Sequence, residues 1–148
     1  MTIAEQLTED MKTSMKAGDS ERTGVLRLLR GSLKNEEIKL GQTLDDAAVL
    51  KVLQREAKQR RDSVAAYREA GRADLVAVEE AELVIIQGYL PEAMDETELA
   101  QVIAEVTAEL GATGPAQMGA VSGAVLKRVG ARADGGAVSR LVREKLSA

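Results

Sequence analysis

Apolar residues recur every third or fourth position along nearly the whole chain, and strand-type alternation is absent. That spacing predicts amphipathic helices. Ile3, Leu7, Met11 and Met15 form the first run, with Thr2 and Glu5 in capping-box spacing ahead of it and Gly18 as its stop. A second helix is expected over about 21–40, with Val25, Leu29, Leu33 and Leu40 on one face and Gly41 behind them. Asp45 is placed to cap a third, long helix reaching about Ala70, with Leu44 and Val49 as a hydrophobic staple and Gly71 as its end. Asp74 is expected to cap a fourth, which runs until Tyr89-Leu90-Pro91, because a residue before proline avoids helical geometry.

Beyond Pro91 the pattern continues with shorter periods. Asp95 and Glu98 repeat the capping-box spacing, Met94 and Leu99 the staple, and a helix to Leu110 ends at Gly111. Pro115 suits a first helical position, and two further helices are expected over about 115–129 and 135–146. Their junction, "VGARADGGAVSRLV", places Gly130 as a helix stop and Asp134 as a cap, so the stretch reads as a tight turn or as a binding surface. The expected fold is all-α: a four-helix N-terminal domain over 1–91 and a smaller three-helix C-terminal domain over 92–148. Within the sixth helix Gly119, Ala120, Ser122, Gly123 and Ala124 are small. Mid-helix glycine costs about 1 kcal/mol relative to alanine, so close packing against a neighbouring helix is the expected compensation.

Composition removes chemistry more than it adds any. The 148 residues include two Tyr but no Phe, Trp, His or Cys. A general-base histidine and a nucleophilic cysteine are therefore unavailable. No phosphate-binding glycine loop, nucleophile elbow or metal-ligand spacing occurs, so no catalytic residue, metal or cofactor is expected. No apolar run reaches the length of a membrane span and no secretory layout is present, which makes a soluble, cytoplasmic protein the expectation.

The net charge of −4 conceals a gradient. Residues 92–114 carry six acids and no base, whereas 115–148 carry Lys127, Arg128, Arg132, Arg140, Arg143 and Lys145 against Asp134 and Glu144. The last two helices thus read as a basic tip on an acidic body. Such a tip can steer toward phosphates, but it offers no aromatic platform for bases, and the acidic body would repel duplex DNA. In the N-terminal half Arg27, Arg30 and Lys34 share one helical face away from the leucines, a pattern for which solubility and i,i+4 pairing are the plainer reading. Lys58 falls with Lys51 and Arg55 on a polar face.

Arg60 does not. At 100° per residue it lies among Val49, Leu53, Val64 and Tyr67. The next helix repeats the anomaly, with Glu82 near the middle of a face made by Leu75, Val78, Ile85, Ile86 and Tyr89, and Glu79 nearer its edge. Opposite charges centred on adjoining apolar faces predict a buried pair of Arg60 with Glu82, or failing that with Glu79.

The segments "LRLLRGSLKNEEIK", "KQRRDSVAAYREAGRADLVAVEEAELVIIQGYLP" and "MGAVSGAVLKRVGARADGGAVSRLVREKL" resemble the YqeY family, in order and throughout the chain. That family is similar to the tail region of the B subunit of the bacterial tRNA-dependent amidotransferase (the GatB/YqeY domain). The resemblance implies a two-part helical fold divided near Tyr89–Pro91. It also implies a tRNA-binding or amidotransferase-associated appendage, its partners being tRNA, the amidotransferase or other translation proteins. It brings with it a carbon–nitrogen ligase label with glutamine as amide donor, although nothing in these residues supports catalysis by this chain alone. By charge and position, Lys127, Arg128, Arg132, Arg140 and Arg143 are the residues expected to meet RNA phosphates. A protein-interaction module that docks a partner on the acidic fifth helix or the small-residue sixth is the alternative.

Overall fold

The computed structural model describes residues 1–147, and these form helices and turns without a strand. The chain divides into two compact units, one of Met1–Leu90 and one that begins at Pro91.

The first unit contains α1 (Ile3–Ala17), α2 (Ser20–Leu40), α3 (Asp46–Glu69) and α4 (Ala73–Gln87). Its starts follow from local chemistry. Thr2 accepts from Glu5 N while the Glu5 carboxylate accepts from Thr2 N, closing a full capping box, and Asp45 accepts from Ala48 N. Gly18 and Gly41 end α1 and α2 in the left-handed conformation that costs glycine little. The core is aliphatic: Leu7, Leu26, Leu29, Leu53 and Ile86 are wholly buried, and Leu44 and Val49 close the entry to α3. Each such side chain contributes on the order of 1.5–3 kcal/mol through removal of apolar area from water.

Three sequence expectations need correction here. Asp74 is not the cap of α4: the capping position is Arg72, without a side-chain bond to the helix, and Asp74 sits in the first turn paired with the Arg72 guanidinium at 3.1 Å. The same helix stops at Gln87 rather than reaching Leu90, and short turns carry the chain to Pro91. Leu40 and Val78 are exposed rather than core residues. Both helices carry more apolar positions than one buried face can hold, so periodicity alone misplaces their edges.

The second unit contains α5 (Glu96–Leu110), a 3-10 turn at Pro115–Gln117, α6 (Met118–Val129), a 3-10 turn at Gly130–Arg132, and α7 (Gly135–Ser147). Val121, Val125 and Val129 on α6 meet Val138, Val142 and Leu146 on α7, with Leu99, Ile103 and Val106 of α5 completing the core. Asp95 caps α5 by accepting from Glu98 N, but the reciprocal half of the expected capping box is missing because the Glu98 carboxylate turns to Arg132.

Of the small residues of α6 only Ala124 packs against the core, and the glycines are not packed as expected. Gly119, Ala120 and Gly123 lie on its exposed side, and a Cβ built on either glycine meets no atom within 4 Å. The buried valines of α6, with Met118 and Ala124 packed against the same core, need no glycine opposite them.

Candidate nucleic-acid interface

The junction "VGARADGG" is a joint. α6 ends at Gly130, whose φ of 55° requires a residue without a Cβ, and Ala133 then runs extended and buried. Asp134 Oδ2 accepts from Ala137 N at 3.2 Å and so opens α7. The turn is fastened to the segment ahead of α5: Met94 N donates to Arg132 O at 2.7 Å, and Arg132 Nε donates to Glu92 O at 3.1 Å.

Around this joint the basic and acidic runs of the sequence face each other. Arg128 reaches Glu109 at 2.7 Å and Glu105 at 3.7 Å. Arg132 reaches Glu98 at 3.3 Å. Arg140 bonds Glu96 closely and Glu144 at 3.4 Å. The carboxylates hold the guanidinium groups of Arg128 and Arg140 above their ordinary pKa. The expected gradient of an acidic body and a basic tip is therefore cancelled in part, where carboxylates of α5 face three of the arginines. Of the five residues assigned to RNA, Lys127 and Arg143 are exposed without a carboxylate partner among the described residues. All of the arginine pairs are open to water, where such a pair contributes about 0–1 kcal/mol.

Arg60 sits between α3 and α4 with its side chain 11% exposed, and its Nε lies 3.2 Å from Glu82 Oε2. Its carboxylate partners are Glu82 and Glu56 and not Glu79. A second carboxylate, that of Glu56 one turn earlier on α3, binds the Arg60 Nη1 closely. Burial opposes the positive charge, but Glu56 and Glu82 overcome it and hold the guanidinium above its ordinary value. Glu56 was legible in the sequence as the i−4 neighbour of Arg60, a spacing that brings side chains together on a helix. Its own remaining oxygen accepts from Ser32 Oγ at 2.8 Å.

A further triad joins the end of the first unit to its beginning. Tyr89 donates its hydroxyl to Asp10 and accepts from Arg22 Nη2 at 3.4 Å. Burial first, and the Asp10 carboxylate second, push this phenol well above its ordinary value. Neither cluster adjoins a metal-binding group, since no set of three metal-ligating side chains occurs among the described residues. No described helix is long and apolar enough to cross a membrane.

Two compact all-helical units, held by aliphatic cores and threaded with arginine–carboxylate pairs, define a helical module. The chain belongs to the YqeY family: the model described as "Yqey-like protein" matches residues 4–146. Among curated proteins it is similar to "Altered inheritance of mitochondria protein 41, mitochondrial" of Lachancea thermotolerans, 33% identical over 112 residues that cover 74% of this chain and 60% of that protein. The protein of the same name from Pyrenophora tritici-repentis is 26% identical over 149 residues, covering 99% of this chain and 82% of its own length. That of Saccharomyces cerevisiae (strain YJM789) is 32% identical over 94 residues, 63% of this chain and 51% of the relative. The chain thus spans 60% or less of the length of several of these relatives.

These relatives overturn the expectation of a cytoplasmic protein, since they are named as mitochondrial. The expectation rested on a missing apolar span and a missing secretory layout. Neither property distinguishes one reducing aqueous compartment from another.

Proposed function

We propose that this chain is a non-catalytic helical module that binds RNA, with tRNA as its first candidate, and that it works in association with a tRNA-dependent amidotransferase or another translation protein. One observation carries the reading: the arginines around the α6–α7 joint are all exposed, and the carboxylates facing Arg128, Arg132 and Arg140 do so in weak surface pairs. A phosphate can replace a carboxylate on Arg128, Arg132 or Arg140 at small cost, because the pair it displaces contributes little. Lys127 and Arg143 need no such exchange. The resemblance to the amidotransferase tail supports the same class of ligand, and the absence of His and Cys from the sequence supports a binding role over a catalytic one.

A second reading, a protein-docking module, is favoured by the exposed glycines of α6, which internal packing does not explain. Crosslinking of the full chain in native lysate, with RNA and protein identified together, separates the two. Recovery of tRNA whose binding falls steeply with salt supports the first, because phosphate contacts release counterions. Substituting Lys127→Glu with Arg143→Glu is expected to weaken that binding while the helical signal is retained. Recovery of protein alone, or RNA binding indifferent to both salt and these substitutions, overturns it.

A further inference from the structure

A further row of exposed cations lies in the first unit. Arg27, Arg30 and Lys34 line an open groove of about 390 Å³ between α1 and α2. Arg30 Nη1 rests 3.4 Å from Met11 Sδ and Arg27 Nη2 4.0 Å from Met15 Sδ. A thioether is a weak acceptor, so both guanidinium groups keep most of their donors available. Lys34 is only loosely held, at 3.9 Å from Glu37. Arg27 also borders a second depression of about 280 Å³ that continues the groove past Gly24. At Gly24 and Gly31 the α2 backbone is bare on this exposed side, and an added Cβ would meet nothing within 4 Å.

Two arginines without a carboxylate partner and a loosely paired lysine, in a row on one helix, call for a ligand whose negative charges repeat. Seven residues of α-helix rise about 10 Å between Arg27 and Lys34, enough for two or three successive phosphates but too long for one. The groove has no aromatic wall, so a nucleobase finds no stacking platform there. Glu37 at one end and Asp19 in the second depression confine the favourable stretch to these three cations.

We propose that the α1–α2 groove seats two or three consecutive phosphates of a single-stranded stretch of RNA, read by its backbone and not by its bases. The inference rests on the RNA-binding reading above and gives it a second surface, separate from the α6–α7 joint. The test uses the full chain labelled with nitrogen-15 and a short oligouridylate. Gly24 and Gly31 amide resonances are expected to shift on titration. Affinity measured by fluorescence anisotropy is expected to fall at least tenfold in the Arg27→Ala/Arg30→Ala variant, and its salt slope to drop by about 1.4, from two lost single-strand phosphate contacts. Arg27→Lys/Arg30→Lys should restore most of the affinity, and circular dichroism confirms that each variant is folded. Oligouridylate that binds the groove variant as tightly as the unaltered chain, while Lys127→Glu/Arg143→Glu abolishes binding, removes the groove and leaves the functional reading standing. Failure of the unaltered chain to bind any RNA removes both.

Discussion

Arg60 of α3 and Glu82 of α4 meet at 3.2 Å across the interface of the two helices, and Glu56 binds the same guanidinium from within α3. One cation therefore holds two carboxylates, and it is the most enclosed of the three groups. Desolvation offsets much of the attraction in such a cluster, so its main effect is to fix how α3 and α4 align.

Replacing Arg60 alone leaves Glu56 and Glu82 facing each other in a half-buried site. Arg60→Met is expected to cost about 3 kcal/mol, the lower end of the range for a broken buried pair, because water reaches Glu82 at the rim. The triple variant Arg60→Met/Glu56→Leu/Glu82→Leu should recover most of that loss. Urea unfolding of the three proteins decides it; a triple variant less stable than the single one contradicts the account.

Tyr89→Phe removes the hydroxyl that Asp10 and Arg22 share. A hydrogen bond to a charged group contributes about 1.5–3 kcal/mol when buried, and partial exposure here puts the expected loss near 1 kcal/mol. The phenol is raised in the folded state, so its contribution is complete below the unfolded pKa and is lost as pH rises through the folded one. Ultraviolet titration should show one of the two tyrosines ionising late, and Asp10→Asn should bring its midpoint down part of the way. A midpoint unmoved by Asp10→Asn would mean that burial alone holds the proton.

Gly119→Ala and Gly123→Ala should each stabilise the chain by about 0.5–1 kcal/mol, since both positions are helical, exposed and free of neighbours. The melting temperature is expected to rise by about 2–4 °C per kcal/mol for a chain of this size. Destabilisation by either alanine would show that the bare backbone of α6 serves a contact within the folded chain.

Arg128 holds the carboxyl of Glu109 below its ordinary value of 4.5. The lowered group contributes stability above its unfolded pKa and loses it as pH falls through the folded one, in the acid range below 4.5. A carboxyl titration followed by NMR should return to the ordinary midpoint in Arg128→Gln, and molar salt should do the same to the unaltered chain, because the pair is exposed. A midpoint indifferent to both would assign the shift to another cause.

Helices, their aliphatic cores and most of their ends were legible in the sequence because each depends on neighbours within a turn or two. The period of Leu7, Leu29 and Val142, the caps Thr2, Asp45 and Asp95, and the left-handed glycines Gly18, Gly41 and Gly111 act over that range. Arg60 and Glu82 were legible for a related reason: a charge centred on an apolar face has to find an opposite one. What only tertiary structure decided is which charges remain available. Composition gives Arg128, Arg132 and Arg140 as a basic run, but folding brings Glu109, Glu98 and Glu96 of α5 against them across the joint. Arg27 and Arg30 had the same local signature, and folding set methionine sulfurs beside them. Helical spacing determines the face on which a charge stands; the partner facing it comes from residues distant in sequence, and that partner sets how much of the charge is left for a ligand.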